Sequence, residues 1–306
     1  MRLFVTGRTG MVGRAILTYL EKHHPDWEIL SPTRQDLDLT NGEKVSEYLK
    51  DNKIDCVVHT AAKVGGIKAN SENQDEFLSD NILMNTHVIS SAHKAGIKNL
   101  VYLGSSCMYP RDYRNPLKEC DILAAPLEPT NEGYAIAKIA GQRLCQYLRQ
   151  KYGVSYKTMI PCNLYGPGDH YDPEHSHLMA AIIRKIHTAI ETNQQSVEIW
   201  GNGEVRREFI FVDDLAGFIC AILPNLSKLP DCMNIGMGHD YSVNEYYQFA
   251  AQAMGYHGAF HHNIQQPSGM SHKLMDIETA RQFGWSPTTS LEKGIRAAHA
   301  DFIDKI

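Results

Sequence analysis

The first thirteen residues narrow what this chain can fold into more than any other stretch. The apolar run Leu3-Phe4-Val5 leads into Thr6-Gly7-Arg8-Thr9-Gly10-Met11-Val12-Gly13, after which Val12, Ile16, Leu17 and Leu20 recur at helical spacing. Strand, glycine-rich turn and helix in immediate succession form the opening of a dinucleotide-binding unit. Glycine allows the tight turn and the close approach of backbone to a pyrophosphate, whose charge the helix N-terminus stabilises. Gly7, Thr9, Gly10, Met11 and Val12 are therefore candidate cofactor contacts. The spacing is Gly-x-x-Gly-x-x-Gly, so position in the first strand-to-helix turn, more than the glycine count, carries the reading.

The same alternation continues. Strands are expected at 27–30, 56–60, 99–103 and 154–163, with helices at 43–52, 75–95 and from Tyr134 to Tyr152. Strand and helix in turn argue for an α/β fold: a Rossmann-type doubly wound parallel sheet with right-handed crossovers. Gly166-Pro167-Gly168-Asp169 and Asp172-Pro173 mark a loop and a change of domain. The expected division is a cofactor-binding domain over 1–165, with return segments near 205–237, and a smaller interleaved C-terminal substrate domain from 166–204 and 238–306. A length of 306 residues is ample for both cores.

Composition removes several classes. A net charge of -5 and a pI near 6.3 give no whole-chain attraction to nucleic acid or an anionic membrane. No apolar run is long enough to span a bilayer, and the start lacks a signal peptide's charged and apolar regions, so a cytoplasmic protein is expected. The seven cysteines lack any Cys-x-x-Cys and read as reduced thiols, not as a disulfide framework or zinc site. His257, His261 and His262 are interrupted by Gly258 and have no evident partner ligands, so no metal is expected.

Cofactor type is read after the second strand. Where an acidic residue would bind a ribose 2′-hydroxyl, this chain has Ser31-Pro32-Thr33-Arg34. Arg34, with Arg8, is suited to a 2′-phosphate, which favours NADP(H); the alternative is a pair of solvated arginines. Asp38 and Leu39 fall in a plausible adenine-edge loop. Ala61 and Ala62 end the strand 56–60 with small side chains, leaving room for a cofactor at the carboxyl edge of the sheet. Pro161, Asn163 and Leu164 are expected at the same edge.

Leu100-Val101-Tyr102-Leu103 runs into Gly104-Ser105-Ser106-Cys107-Met108-Tyr109-Pro110, placing two hydroxyls and a thiol there. Further on, Tyr134 and Lys138 lie four apart and share a helix face. A neighbouring ammonium favours a phenolate, so the expectation is a tyrosine whose pKa is brought down toward the working range. With the Ser105 hydroxyl, the three make a hydride-transfer site; each alone is a weak signal.

At these residues the chain resembles the extended short-chain dehydrogenase/reductase superfamily. Within it, the likeness is to enzymes that epimerise and reduce GDP-4-keto-6-deoxy sugars, carried by Ala61-Ala62-Lys63-Val64-Gly65-Gly66-Ile67, Leu127-Glu128-Pro129-Thr130-Asn131-Glu132 and Asn163-Leu164-Tyr165-Gly166-Pro167. Ser176-His177, Trp200-Gly201, Arg207-Glu208-Phe209 and Val212-Asp213-Asp214 extend it over almost the whole chain. The resemblance implies that Ser105, Tyr134 and Lys138 reduce a C4 ketone with NADPH, while Cys107 and His177 invert C3 and C5 of GDP-4-keto-6-deoxy-D-mannose. It also implies cofactor contacts from Lys138, Pro161, Asn163, Leu164 and His177, and a homodimer built on helix faces. Substrate contacts are implied for Ser106, Cys107, Asn163, Lys185, Trp200, Arg207 and Lys273.

The chemistry is consistent with those residue types. A C4 ketone acidifies the C–H bonds on both sides, and inversion needs one proton-transfer group on each ring face. A thiol and an imidazole both titrate within reach of neutrality. Without the resemblance Cys107 reads as a buried structural thiol and His177 as a helix-start histidine. Asp213 and Asp214 read as caps of the helix 215–223. The chain departs from the usual pattern at Gly269-Met270-Ser271-His272-Lys273 and at Gly133, where proline is common. Those changes leave colitose-type and 6-deoxy-heptose-type GDP-sugars open as substrates, the latter without epimerisation. A nucleotide-sensing scaffold on the same fold is the non-enzymatic alternative.

Overall fold

The computed structural model describes residues 1–172, 176–265 and 270–306. Strand β1 (Arg2–Thr6) passes through the glycine turn into α1 (Met11–His23), followed by β2 (Glu28–Leu30), α2 (Gly42–Asp51) and β3 (Cys56–His59). Short α3 (Ile67–Glu72) and long α4 (Gln74–Lys94) lead to β4 (Asn99–Leu103), and α5 (Glu132–Tyr152) to β5 (Ser155–Pro161). Five of these strands are joined by β10 (Cys232–Ile235) in one parallel sheet of order β10-β5-β4-β3-β1-β2.

The period-two alternation of β1 explains how the sheet is covered. Leu3 and Val5 face one core with Ile16 and Leu20 of α1, and Phe4 faces another with Val45, Leu49, Val88 and Ile89 of α2 and α4. Helix α7 (Val212–Ile222) lies beside α1 on the first face, and α2, α4 and α5 cover the second. With helices on both faces, the strands read as nearly continuous apolar runs.

A separate core lies in the second half. It is enclosed by α6 (Leu178–Glu191), β7 (Ser196–Trp200), α8 (Val243–Met254), β12 (Ala259–Asn263) and α10 (Leu291–Ile303), around Ile182, Ile186, Ile199, Tyr246 and Ile295. Strands β7 and β12 pair in parallel. Between the two bodies run a parallel pair, β6 (Asn163–Tyr165) with β9 (Phe209–Phe211), and an antiparallel pair, β8 (Arg206–Arg207) with β11 (Tyr241–Ser242). Short α9 (Glu278–Gln282) packs against β10.

Two local expectations differ. The strand expected over 154–163 stops at Pro161, which has no N–H to continue a ladder, and Asn163 begins a new pairing with β9. Asp213 and Asp214 do not cap α7: Phe211 is its N-cap, without a side-chain bond, and the aspartates sit in the first turn. There they still suit the positive helix end. The Asp214 carboxylate instead accepts from the backbone N–H and hydroxyl of both Thr288 and Thr289, tying α7 to the entry of α10.

A buried polar chain joins the strand ends. Thr6 Oγ1 takes the N–H groups of Thr60 and Ala61 at 3.1 Å and lies 2.8 Å from His59 Nδ1. His59 Nε2 is 3.1 Å from Asn85 Oδ1, and Asn85 Nδ2 donates to Ala137 O at 3.0 Å. One neutral tautomer satisfies all of these contacts: Nδ1 accepts from Thr6 and Nε2–H donates to Asn85. Burial, then the nearby Lys138 charge, pull the His59 imidazole down to about 3.

This folded value lies below the ordinary 6.5, so between the two it is the unfolded chain that binds the proton, and stability falls as pH drops from about 6.5 toward 3. Urea unfolding at pH 6.5 and 5 should show a His59 contribution on the order of 2 kcal/mol lost over that interval. In His59→Asn that component should be missing; an unchanged slope would contradict the neutral buried imidazole.

Candidate active site

The carboxyl ends of β1, β3, β4 and β5 converge on one edge, and the candidate residues lie along it. At the end of β4 the chain extends through Ser105 and closes a 3-10 turn, Ser106–Met108. Ser105 Oγ accepts the Cys107 N–H at 3.2 Å. Its own proton stays available for a nearby oxygen, and it interacts with the Tyr134 phenol from β4's side.

Helix α5 supplies the other two members. Lys138 is 1% exposed, and its ammonium donates to Leu103 O, the last carbonyl of β4, at 2.8 Å. It also lies 5.8 Å from the centre of the Tyr134 ring and 5.1 Å from that of Tyr102. Close approach of α5 to β4 depends on Gly141, where a Cβ would fall 2.5 Å from Tyr102 Oη.

The titration expected for this pair is corrected. Burial pushes the Tyr134 phenol up, with the Cys107 charge adding to the rise and Ser105 opposing it; Lys138 does not draw it down. Burial instead brings Lys138 down to about 7, with Cys107 acting in the opposite direction. Tyr134 is thus held as a neutral proton donor, beside a lysine that exchanges its charge near neutrality.

The Gly133 departure has a physical reason. Its N–H donates to Gln74 Oε1 at 3.1 Å, and a Cβ there would meet Gln74 O at 2.5 Å. Gln74 Nε2 donates in turn to Pro129 O at 2.9 Å. Gln74, the first residue of α4, therefore clamps the start of α5, one residue before the tyrosine. Proline would have neither the N–H nor the space.

The glycine turn is shaped for a pyrophosphate. Gly7 has a positive φ of 78°, Gly10 N donates to Gly7 O at 3.0 Å, and a Cβ on Gly13 would lie 2.1 Å from Gly7 O. Thr9 and Gly10 are exposed at the tip, and Met11 and Val12 open α1 with Gly10 as N-cap. Arg8 Nη1 donates to Ser31 O at 2.8 Å, bringing it to the end of β2, while Arg34 is exposed in the same loop. The carboxylates here serve their own turns: Asp38 accepts from Thr40 and Asp36 from Thr33. Leu39 O faces His87 Nδ1 at 3.1 Å. Ala61 and Ala62 follow β3, Pro161 ends β5, and Asn163 Nδ2 donates to Glu208 O at 2.9 Å beside Leu164.

The expected substrate contacts fall into two groups. Lys273 donates to Ser106 O at 3.0 Å, and Arg207 donates to Met270 O at 2.6 Å. Burial lowers both cations, first for Lys273 and likewise for Arg207, and each feels the other or the Glu128 carboxylate. The second group is Lys185, whose ammonium lies 5.2 Å from the Trp200 ring centre and donates to Glu198 O. Together with Arg184, Thr188 and Gln194 it lines a cavity of about 340 Å³. Arg184 Nε is buried there with no partner among the described residues.

Cys107 stands within the first group, half-buried and unpaired, and Asn131 Nδ2 donates to its sulfur at 3.2 Å. His177 is the exposed N-cap of α6, and its charge acts on the buried Asp169 carboxyl, which burial pushes up. Of the departing segment 269–273, residue 269 lies outside the described residues. His272 pairs with Asp240, which also binds Arg206. All seven cysteines are unbridged, and among the described residues no group of three metal-ligating side chains occurs.

Sequence reading missed Asn131, Gln74, Asn85 and Glu208. Glu208 is buried and pushed up to about 7 by that burial, although the N–H groups of Gly238 and Met275 bind its carboxyl. It joins β9 to the segment that carries Lys273. The quoted motifs contained Asn131 and Glu208, but only the folded contacts give them tasks.

A parallel sheet with a glycine turn on its first strand and a Ser–Tyr–Lys set at its carboxyl edge defines a nucleotide-cofactor enzyme class. The chain belongs to the NAD dependent epimerase/dehydratase family, whose model matches residues 3–236. It is 46% identical to a GDP-L-fucose synthase of Azorhizobium caulinodans over 99% of this chain and 96% of that one. It is 44% identical to a GDP-L-colitose synthase of Yersinia pseudotuberculosis over 100% and 99%. Among solved structures, a GDP-mannoheptose C4 reductase from Campylobacter jejuni with NADP bound superimposes with a TM-score of 0.89 at 32% identity, covering 99% and 98%.

Gly133→Ala should force the Gln74 carbonyl away from the start of α5. Chemical denaturation should report a loss of about 1–3 kcal/mol, with slower turnover because Tyr134 follows immediately. Full wild-type stability and turnover would contradict the clamp.

Proposed function

We propose that the protein is an NADPH-dependent epimerase-reductase that converts GDP-4-keto-6-deoxy-D-mannose to GDP-L-fucose. The observation that carries the reading is the shared turn: Ser105 of the reducing set and Cys107 of the inverting set are two residues apart and hydrogen-bonded through Ser105 Oγ. One ketone placed against that turn is within reach of both chemistries. The relatives named above as GDP-L-fucose and GDP-L-colitose synthases support a GDP-4-keto sugar as substrate.

NADP(H) held along this sheet edge would supply the hydride that reduces C4. Tyr134 gives its phenolic proton to the developing alkoxide, Ser105 donates to the same oxygen, and Lys138 stabilises the charge left on the phenol. Before reduction, Cys107 and His177 act on the C–H bonds at C3 and C5 from opposite ring faces. Arg207 and Lys273 suit the diphosphate, and the Lys185–Trp200 cavity suits the nucleoside, a flat ring beside a cation. The loop carrying Gly7, Thr9, Gly10, Met11 and Val12 holds the cofactor pyrophosphate, and Arg34 with Arg8 holds the 2′-phosphate. Asp38, Leu39, Ala61, Ala62, Pro161, Asn163 and Leu164 line the rest of its path.

On this reading the body around α6, α8 and α10 is the substrate domain. The protein acts as a homodimer across α4 and α5, which expose Leu83 (42%), Ile136 (41%) and Tyr147 (60%). A cytoplasmic location agrees with seven free thiols and with the lack of any described helix long and apolar enough to cross a membrane. A GDP-L-colitose synthase reading is favoured by nearly equal identity, 44% against 46%, and a panel of GDP-4-keto sugars separates the two.

Two variants test the division of labour. Cys107→Ser should lose solvent-deuterium incorporation at C3 and C5 while still oxidising NADPH, whereas Tyr134→Phe should lose about 10²–10⁴-fold in NADPH oxidation. Equal loss of both activities in both variants would overturn the assignment. For the cofactor, Arg34→Ala should raise the KM for NADPH about tenfold or more while leaving that for NADH nearly unchanged; equal effects on both would exclude a 2′-phosphate contact.

A further inference from the structure

Asn131 immediately precedes α5 and reaches back to the turn after β4. Its Nδ2 donates to Cys107 Sγ at 3.2 Å, while its Oδ1 is buried with no partner among the described residues. Cys107 is held from the other side as well, because its backbone N–H is bound by Ser105 Oγ. The sulfur thus has a fixed place and a directed donor.

We propose that Asn131 is a positioning residue for Cys107: its amide N–H holds the sulfur in the site and favours the thiolate over the thiol. A donor aimed at the ionised form of an acid stabilises that form. A neutral amide provides this without the repulsion that a carboxylate would bring. Cations also stand near the sulfur. Lys138 from α5 and Lys273 from the segment leading to α9 both sense the Cys107 charge, and Arg207 stands next to Lys273. Tyr134 is the other titratable group of α5 facing the sulfur, and it is held neutral. Glu128 faces Lys273 and Arg207, and its carboxylate also takes the Thr130 N–H.

The chemical consequence rests on the epimerase reading. The thiolate takes a proton from C3 or C5; the C–H bond breaks, an S–H bond forms, and the electron pair passes to the C4 oxygen as an enolate. His177 then gives a proton from the other ring face, and the enolate electron pair returns to form the new C–H bond and restore the C4 ketone. The Cys107 thiol passes its proton to solvent. With Asn131 altered, less thiolate is present at neutral pH and the first step slows.

The test uses the full-length protein and two variants, Asn131→Ala and the nearly isosteric Asn131→Asp. Iodoacetamide labelling of Cys107, followed by mass spectrometry of its peptide across pH, reads the thiolate directly. The midpoint should rise by about one unit in Asn131→Ala and further in Asn131→Asp, where a negative charge faces the sulfur. Deuterium exchange at C3 and C5, measured with NADP⁺ so that the ketone is not consumed, should fall about tenfold at neutral pH and recover at higher pH. A purely structural role would lower exchange equally at every pH, and that result overturns the proposal. An unmoved labelling midpoint in both variants overturns it whatever exchange the wild type shows. A raised midpoint with no exchange in the wild type upholds the placement of Asn131 and defeats the epimerase reading instead.

Discussion

The hydrogen bond from the buried Lys138 ammonium to the last carbonyl of β4 fixes the rest of the site. An ammonium in a protein interior demands a partner, and Leu103 O is the one provided. This contact docks α5 on the sheet edge in one register, with Gly141 leaving space for Tyr102. It also sets where Tyr134 stands relative to Ser105, since Leu103 is only two residues upstream of that serine. The desolvation that lowers Lys138 toward neutrality follows from the same burial, so positioning and tuning share one cause.

Around that contact the protein has built a polar scaffold that spans the sheet edge. The Thr6–His59–Asn85 chain ends on Ala137 O, the residue before Lys138, and therefore links the glycine turn to the helix carrying Tyr134 and Lys138. Gln74 fixes the helix start, and Glu208 fixes the segment that delivers Lys273. The Thr6–His59–Asn85 chain and Glu208 use buried polar groups with satisfied partners, an arrangement that specifies one geometry more strictly than apolar packing alone. The result is that the Tyr134 phenol, the Ser105 hydroxyl and the Cys107 thiol interact with one another, with Lys138 and Lys273 anchored beside them on the carbonyls of Leu103 and Ser106.

Much of this was legible in the chain because it is written locally. The glycine turn, the apolar run Leu3-Phe4-Val5 ahead of it and the i, i+4 relation of Tyr134 and Lys138 are short-range patterns, and the fold follows them closely. What sequence could not give depends on burial across long separations. The direction of the Tyr134 shift is one such case, because it is set first by burial, which only the folded contacts around the phenol create. Asp214 at the start of α7 is another: it fits a cap by position, but Thr288 and Thr289, more than seventy residues on, donate to its oxygens. Lys185 and Lys273 likewise look alike in sequence, and only the fold separates one into a cavity beside Trp200 and the other against Ser106.

The central claim is that one ketone serves two sets of residues, first to invert its neighbours and then to be reduced. Nuclear magnetic resonance of the product formed by the wild-type protein from GDP-4-keto-6-deoxy-D-mannose and NADPH in deuterated water tests it most directly. The account predicts a reduced C4 with solvent deuterium at both C3 and C5 and inverted configuration at each. A reduced C4 with protium retained at both positions would contradict it.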